Sequence, residues 1–227
     1  MKIEPELPVF YWAGMEIIYL FDPVCGWCYG FGLHIQGFAA KHTDKIKFTV
    51  ISGGMVTGER VGPLAHIASY IKDSVPRLEQ LTGIRFGASF LNDLNGAGTT
   101  LMDSTPPSKA FVILKEQFPE QQLALAHALQ SMYYQDGLDF NQKANYQTLC
   151  EALGMDFKVF EEKFDSVAYQ LATKDEFKEV ARYGVSGYPT VVLRHQDQYF
   201  MLAHGFASTE TLESTFQSIL QKEQLEA

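Results

Sequence analysis

The tetrapeptide Cys25-Gly26-Trp27-Cys28 constrains this chain more than any other feature, because it stands where a strand pattern gives way to a helix pattern. Ahead of it, Glu16-Ile17-Ile18-Tyr19-Leu20-Phe21 has the length of a strand and its β-branched and aromatic residues, with Pro23 to end it. Behind it, Cys28, Phe31, Ile35 and Phe38 recur at spacings of three and four, one face of a helix running from about Cys25 to Lys41. Lys47 to Ser52 then reads as a second strand, closed by Gly53-Gly54. The expected unit is βαβ with a right-handed crossover. A cysteine at a helix start meets unpaired N–H groups and the positive end of the helix dipole, which favour a thiolate at Cys25. In this setting a C-x-x-C pair reads as a redox dithiol rather than a disulfide staple.

Composition narrows the partners. The chain has 227 residues, 46% of them hydrophobic, enough for one packed fold with a sizeable insertion. Its net charge is −9 with no basic cluster, which argues against nucleic acid and against anionic membrane surfaces. No stretch is apolar enough to span a bilayer. Residues 1–14 carry Glu4, Pro5, Glu6 and Pro8 instead of a basic start and an apolar run, and are expected to be an extension of little function. With three cysteines in all, the expected setting is the reducing cytoplasm.

Three blocks follow along the chain. Residues 15–55 hold the βαβ unit, and Gly30, Gly32 and Gly37 within its helix suggest close approach of a neighbour. Residues 56–172 form a helical insertion. Helices are expected over Pro63 to Lys72, Pro76 to Leu81, Ser108 to Gln117, Glu120 to Gln135, Gln142 to Leu153 and Phe157 to Phe164, and a loop over Asn95 to Pro107. Gly137 and Gly154 are the expected stops. Residues 173–227 return to the first architecture. Thr173 and Glu176 have capping-box spacing for a helix to Tyr183, ended by Gly184. A buried-strand run through Leu193, a polar turn at His195 to Gln198, a return strand from Tyr199 to Ala203 and a helix capped by Ser208 complete the chain.

This order, with Cys25 to Cys28 and Gly184-Val185-Ser186-Gly187-Tyr188-Pro189-Thr190, resembles the DsbA family: an α/β, thioredoxin-like fold with a helical insertion. Asp22-Pro23-Val24-Cys25-Gly26-Trp27-Cys28-Tyr29 is most similar to its FrnE-like, cytosolic disulfide-isomerase branch. The resemblance implies a thiol–disulfide oxidoreductase or isomerase in which Cys25 attacks and Cys28 resolves. It implies a cis bond between Tyr188 and Pro189, placing the Tyr188 backbone beside Cys25 to receive an extended substrate. Partners would be protein or small-molecule thiols and disulfides. No organic cofactor is implied, with glutathione or another thiol reductant as co-substrate. Periplasmic DsbA has Pro-His between its cysteines, so Gly-Trp here implies a weaker oxidant. The acid that thioredoxins carry six residues before the first cysteine is replaced by Tyr19. Asp22 is the nearby candidate for proton transfer, although an acid at a strand end first reads as a solvated turn or cap.

Trp27, between two helix-start cysteines, reads as an exposed apolar platform for substrate, with Tyr188 beside it. A zinc site needs about four ligands, and His34 lies opposite Cys25 at about 100° per residue, so no metal is expected. Cys150 and the scattered histidines His66, His127 and His204 read as core or surface residues. Kappa-class glutathione transferases and hydroxychromene carboxylate isomerases share the fold, generally with serine at the first position and no second cysteine. They remain the alternative, with a redox-sensing binding module as a third. The sequence leaves the oligomeric state open.

Overall fold

The structure is a computed structural model and describes residues 14–43 and 45–225; thirteen of the fourteen residues read as an extension lie outside that range. In chain order the elements are β1 (Met15–Phe21), α1 (Gly26–Ala39), β2 (Lys47–Ser52), β3 (Gly62–Pro63), α2 (Ala68–Thr82), α3 (Ala88–Asn95), β4 (Leu101–Met102), α4 (Thr105–Gln117), α5 (Gln122–Tyr134), α6 (Gln147–Leu153), α7 (Phe157–Asp165), α8 (Val167–Arg182), β5 (Thr190–His195), β6 (Gln198–His204) and α9 (Thr209–Leu225).

The main sheet has the order β2-β1-β5-β6. β1 runs parallel to β2, pairing Glu16 with Lys47 and Phe21 with Ser52, and antiparallel to β5, pairing Leu20 with Thr190. Flanked on both edges and covered on both faces, β1 is buried along its whole length, so its run is apolar rather than alternating. Its alternate residues still serve different layers. Ile17, Tyr19 and Phe21 join the large core with Phe31, Ile35 and Phe38 of α1 and Leu212 and Phe216 of α9. Ile18 and Leu20 pack with Ile51 and with Val180 of α8 on the other face. Each fully buried side chain of this size contributes about 1.5–3 kcal/mol. Glu16 is the exception in the run, and it is satisfied across the sheet by Lys47, Thr49 and Arg194.

The glycines of α1 do mark close approach. A Cβ at Gly30 would lie 2.7 Å from Leu78 of α2, and one at Gly32 would lie 2.5 Å from the His127 ring of α5. The first helix is therefore gripped by the insertion on two sides.

Several elements differ from the sequence expectation. The helices expected at Pro63 to Lys72 and Pro76 to Leu81 merge from Ala68 onward into one helix, α2, with Pro76 inside it, while Pro63 falls in β3 and Leu64–His66 in a short 3-10 turn. Proline keeps a helical φ, and the loss of one backbone bond did not end the helix. α3 was unforeseen: Ala88–Asn95 is rich in Ser, Asn and Asp, and it is held by buried Phe90 and Leu94 one turn apart. The short β3–β4 pair was also unforeseen. Thr173 does not cap a helix. α8 begins at Val167, capped by the Ser166 hydroxyl, which accepts from the Tyr169 N–H. The 172/173 boundary thus falls inside α8. Thr173 instead donates to the Tyr169 carbonyl one turn back at 2.7 Å. Glu176 accepts from the Ser52 N–H at 3.0 Å and pairs with Lys115 of α4, tying the insertion to the end of β2.

Candidate active site

β1 ends at Phe21, and the turn Asp22-Pro23-Val24 delivers Cys25 to the N-cap of α1. The turn is closed by the Cys25 N–H donating to the Asp22 carbonyl at 3.1 Å. Cys25 has extended backbone, so its sulfur folds back over the first turn and accepts from the Cys28 N–H at 3.4 Å. This is the capping geometry in which serine or aspartate normally stands, here supplied by sulfur. Both cysteines are free thiols; Cys25 retains 6% exposure and Cys28 none. Burial first, and then the hydrogen bond and charge of Cys25, hold the Cys28 thiol well above its ordinary pKa.

Across from the dithiol lies the loop entering β5. The Tyr188–Pro189 peptide bond is cis, and the Cys25 thiol donates to the Tyr188 carbonyl at 3.6 Å. His204 braces this loop from β6, its ring nitrogens pairing with Thr190 at 3.1 Å and Ser186 at 3.3 Å. The Tyr188 ring lies over Gly53, where a Cβ would overlap it. Burial raises the Tyr188 phenol to about 12.

The structure thus brings Cys25, Cys28, Tyr188 and Pro189 together. Trp27 stands at the same helix start, but it is half-buried and packed against the core instead of fully exposed. A ring of that size at the first turn covers apolar neighbours with one face.

Asp22 departs most from its expected role. It is no solvated turn residue but has no exposure at all. Oδ1 accepts from the Val24 N–H at 3.0 Å and the Ser104 hydroxyl at 2.9 Å, and Oδ2 accepts from the Met55 N–H at 2.7 Å. Burial raises its carboxyl to about 7, although these three donors and the nearby Arg60 charge pull the other way. The Asp22 backbone N–H also helps the Cys28 sulfur to ionise, while the carboxylate charge opposes it. Tyr19, at the position of the thioredoxin acid, is buried with no hydrogen-bond partner for its hydroxyl among the described residues. Burial, then the charge of Cys28, pushes its phenol far up, so it remains neutral.

Sequence reasoning missed Ser104, Gln130 and Tyr134. Their sequence distances from Cys25 carry no local signal. Gln130 donates to the Asp22 carbonyl at 3.2 Å and to that of Cys25 at 3.3 Å. The Tyr134 hydroxyl donates to the Val24 carbonyl at 2.6 Å. Cys150 is a core residue with no exposure, and burial raises its thiol to about 11. Among the described residues no three His, Cys, Asp or Glu side chains are grouped to hold a metal ion, and no helix is long and apolar enough to cross a membrane.

A dithiol capping the first helix of a four-stranded sheet, faced by an X-Pro loop, defines the thioredoxin-like class of thiol–disulfide proteins. Within that class the chain belongs to the DSBA-like thioredoxin domain family, whose pattern matches residues 16–217. Among solved structures it is similar to a protein of Nitrosomonas europaea named provisionally as a protein disulfide isomerase, at 25% identity and a TM-score of 0.80, covering 92% of this chain and 98% of that one. It is also similar to the cytosolic disulfide reductase DsbM from Pseudomonas aeruginosa, at 24% identity and a TM-score of 0.71, covering 93% of this chain and 100% of that one. The same protein solved with GSH matches at 24% identity and a TM-score of 0.68, with 93% and 100% covered. No curated protein sequence matches the chain.

Proposed function

We propose that this protein is a cytoplasmic thiol–disulfide oxidoreductase that reduces or isomerises disulfides with glutathione or another thiol as electron source. The observation that carries this reading is the Cys25 sulfur, held between the Cys28 N–H and the Tyr188 carbonyl with Cys28 buried directly behind it. The names borne by the similar Nitrosomonas and Pseudomonas proteins support it, and the GSH complex of the latter supports glutathione as a partner.

The Cys25 thiolate attacks one sulfur of the substrate disulfide, forming a mixed disulfide and expelling the other sulfur as a thiolate, which takes a proton from solvent. The Cys28 thiol gives its proton to the Asp22 carboxylate, and its sulfur attacks Cys25. The second substrate sulfur leaves as a thiolate and is protonated, and the enzyme is left as the Cys25–Cys28 disulfide. Two thiols of the reductant restore the dithiol. The Tyr188 carbonyl offers an acceptor to an extended substrate lying beside Cys25, and Pro189, having no N–H, leaves that edge an acceptor. Trp27 supplies an apolar flank.

The test is glutathione-driven reduction of a protein disulfide, set against glutathione conjugation to an electrophile. Reduction that requires both Cys25 and Cys28 is expected. Conjugation without disulfide reduction would replace this reading with the transferase alternative, and tight binding in one redox state without turnover would replace it with the sensor. A second expected outcome concerns Gly53→Ala. Its new Cβ overlaps the Tyr188 ring, and a displaced substrate edge should lower kcat/KM by about ten- to a hundredfold, the scale of small misplacements. An unchanged kcat/KM would remove Tyr188 from the substrate site.

A further inference from the structure

The helical insertion holds the dithiol loop through its own side chains, and one of them reaches the Asp22 carboxyl. Ser104, immediately before α4, has no exposure. Its N–H donates to the Val56 carbonyl at 2.8 Å, and its hydroxyl oxygen accepts from the Val56 N–H at 2.9 Å. The hydroxyl proton is therefore left to point at Asp22 Oδ1, 2.9 Å away. The carboxyl's other donors are the backbone amides of Val24 and Met55, which belong to the turn and to the segment after β2. Ser104 is thus the side-chain donor to this group and the one contributed by the insertion. The charged and titratable groups around Asp22 are the Arg60 guanidinium, the Cys28 thiol, and the Tyr134 and Tyr188 phenols. Arg60 is exposed and donates to the Gly54 carbonyl at 2.9 Å, and it acts on the carboxyl through its charge.

We propose that Ser104 is a positioning residue for the dithiol chemistry: its hydroxyl holds the Asp22 carboxyl in the anionic, proton-accepting form, so the helical insertion sets the pH range in which Cys28 resolves the mixed disulfide. A hydrogen bond donated to the charged form of an acid favours that form, and a donor removed from a buried carboxylate is not replaced by water. The inference rests on the reading of Asp22 as acceptor of the Cys28 proton. In the step concerned, the S–H bond of Cys28 breaks, its proton goes to Asp22, and its electron pair forms the bond to Cys25 as the substrate sulfur departs as a thiolate.

The experiment uses the full chain and a chromogenic aromatic disulfide, dithiobis-nitrobenzoate, in single turnover. The first thiolate released reports attack by Cys25, and the second reports resolution by Cys28. In the native protein the second phase is expected to rise with a midpoint near neutral pH. Ser104→Ala should move that midpoint upward by about one unit and reach the native plateau at high pH, with the first phase unchanged. Ser104→Thr, which keeps the hydroxyl, should restore the native midpoint. A fall in the second phase by the same factor at every pH would mean that Ser104 serves only the fold and would overturn the proposal. Asp22→Asn separates the two levels. If it leaves the native midpoint in place, the Asp22 reading itself is wrong; if it abolishes the midpoint while Ser104→Ala overlays the native curve, the Ser104 proposal alone falls.

Discussion

With Cys28 replaced by alanine, the protein is expected to accumulate as a covalent adduct in which Cys25 holds a substrate sulfur. Thiol–disulfide exchange joins the attacking sulfur to the attacked one, and the adduct has no internal exit once the resolving thiol is gone. Cys28 lies fully buried with its N–H 3.4 Å from the Cys25 sulfur, so it is placed to reach that sulfur before an outside thiol does. The adduct fraction should rise from traces to most of the protein under mild oxidation. Cys25→Ala should give none, and Cys150→Ala should behave as the native protein, since Cys150 has no exposure. Non-reducing gels of each variant in cell extract, with and without added thiol, make the comparison. Absence of thiol-reversible adducts in Cys28→Ala would exclude Cys25 as the nucleophile.

The second large effect is on stability against pH. The Asp22 carboxyl rises from 3.8 to about 7 in the folded protein, so between those values the native state binds a proton that the unfolded chain does not. Stability is therefore lost as pH rises through this window, the reverse of a salt-bridged acid. The shift is about three units, or roughly 4 kcal/mol at 1.36 kcal/mol per unit. Asp22→Asn cannot titrate, so its stability relative to the native protein should improve by about that amount from about pH 4 to about pH 8. Urea unfolding of both proteins across the range makes the measurement, and parallel curves would show that the buried carboxyl does not titrate there. The same substitution should cost resolution of the mixed disulfide. Asp22 would then lower stability at neutral pH while serving the chemistry, a trade found at active sites.

What could be read from the chain and what could not divides along sequence distance. The β1 run, the helix-start cysteines and the Tyr188–Pro189 loop are local patterns, and the structure assembles them face to face. Asp22 was visible as a residue but not as an environment. An acid after Phe21 looks like a turn residue until Met55 and Ser104 close over it, and nothing in the intervening residues announces that they will. Thr173 and Glu176 show the converse error. Their spacing fits a cap, yet the helix begins earlier, at Val167 behind the Ser166 cap; Thr173 bonds the Tyr169 carbonyl within its own helix, and Glu176 takes the Ser52 N–H across the fold. The split of α2 at Pro76 came from giving one proline more weight than the apolar positions around it, where Leu78 packs onto the glycine face of α1.

That glycine face bears on how such chains can diverge. Gly30 and Gly32 leave hollows on α1 that Leu78, Thr82 and His127 of the insertion fill. The two parts of the fold are therefore cut to one another's shape at the same helix that Cys25 caps. A side chain added at Gly30 or Gly32 would need an answering change at Leu78, Thr82 or His127.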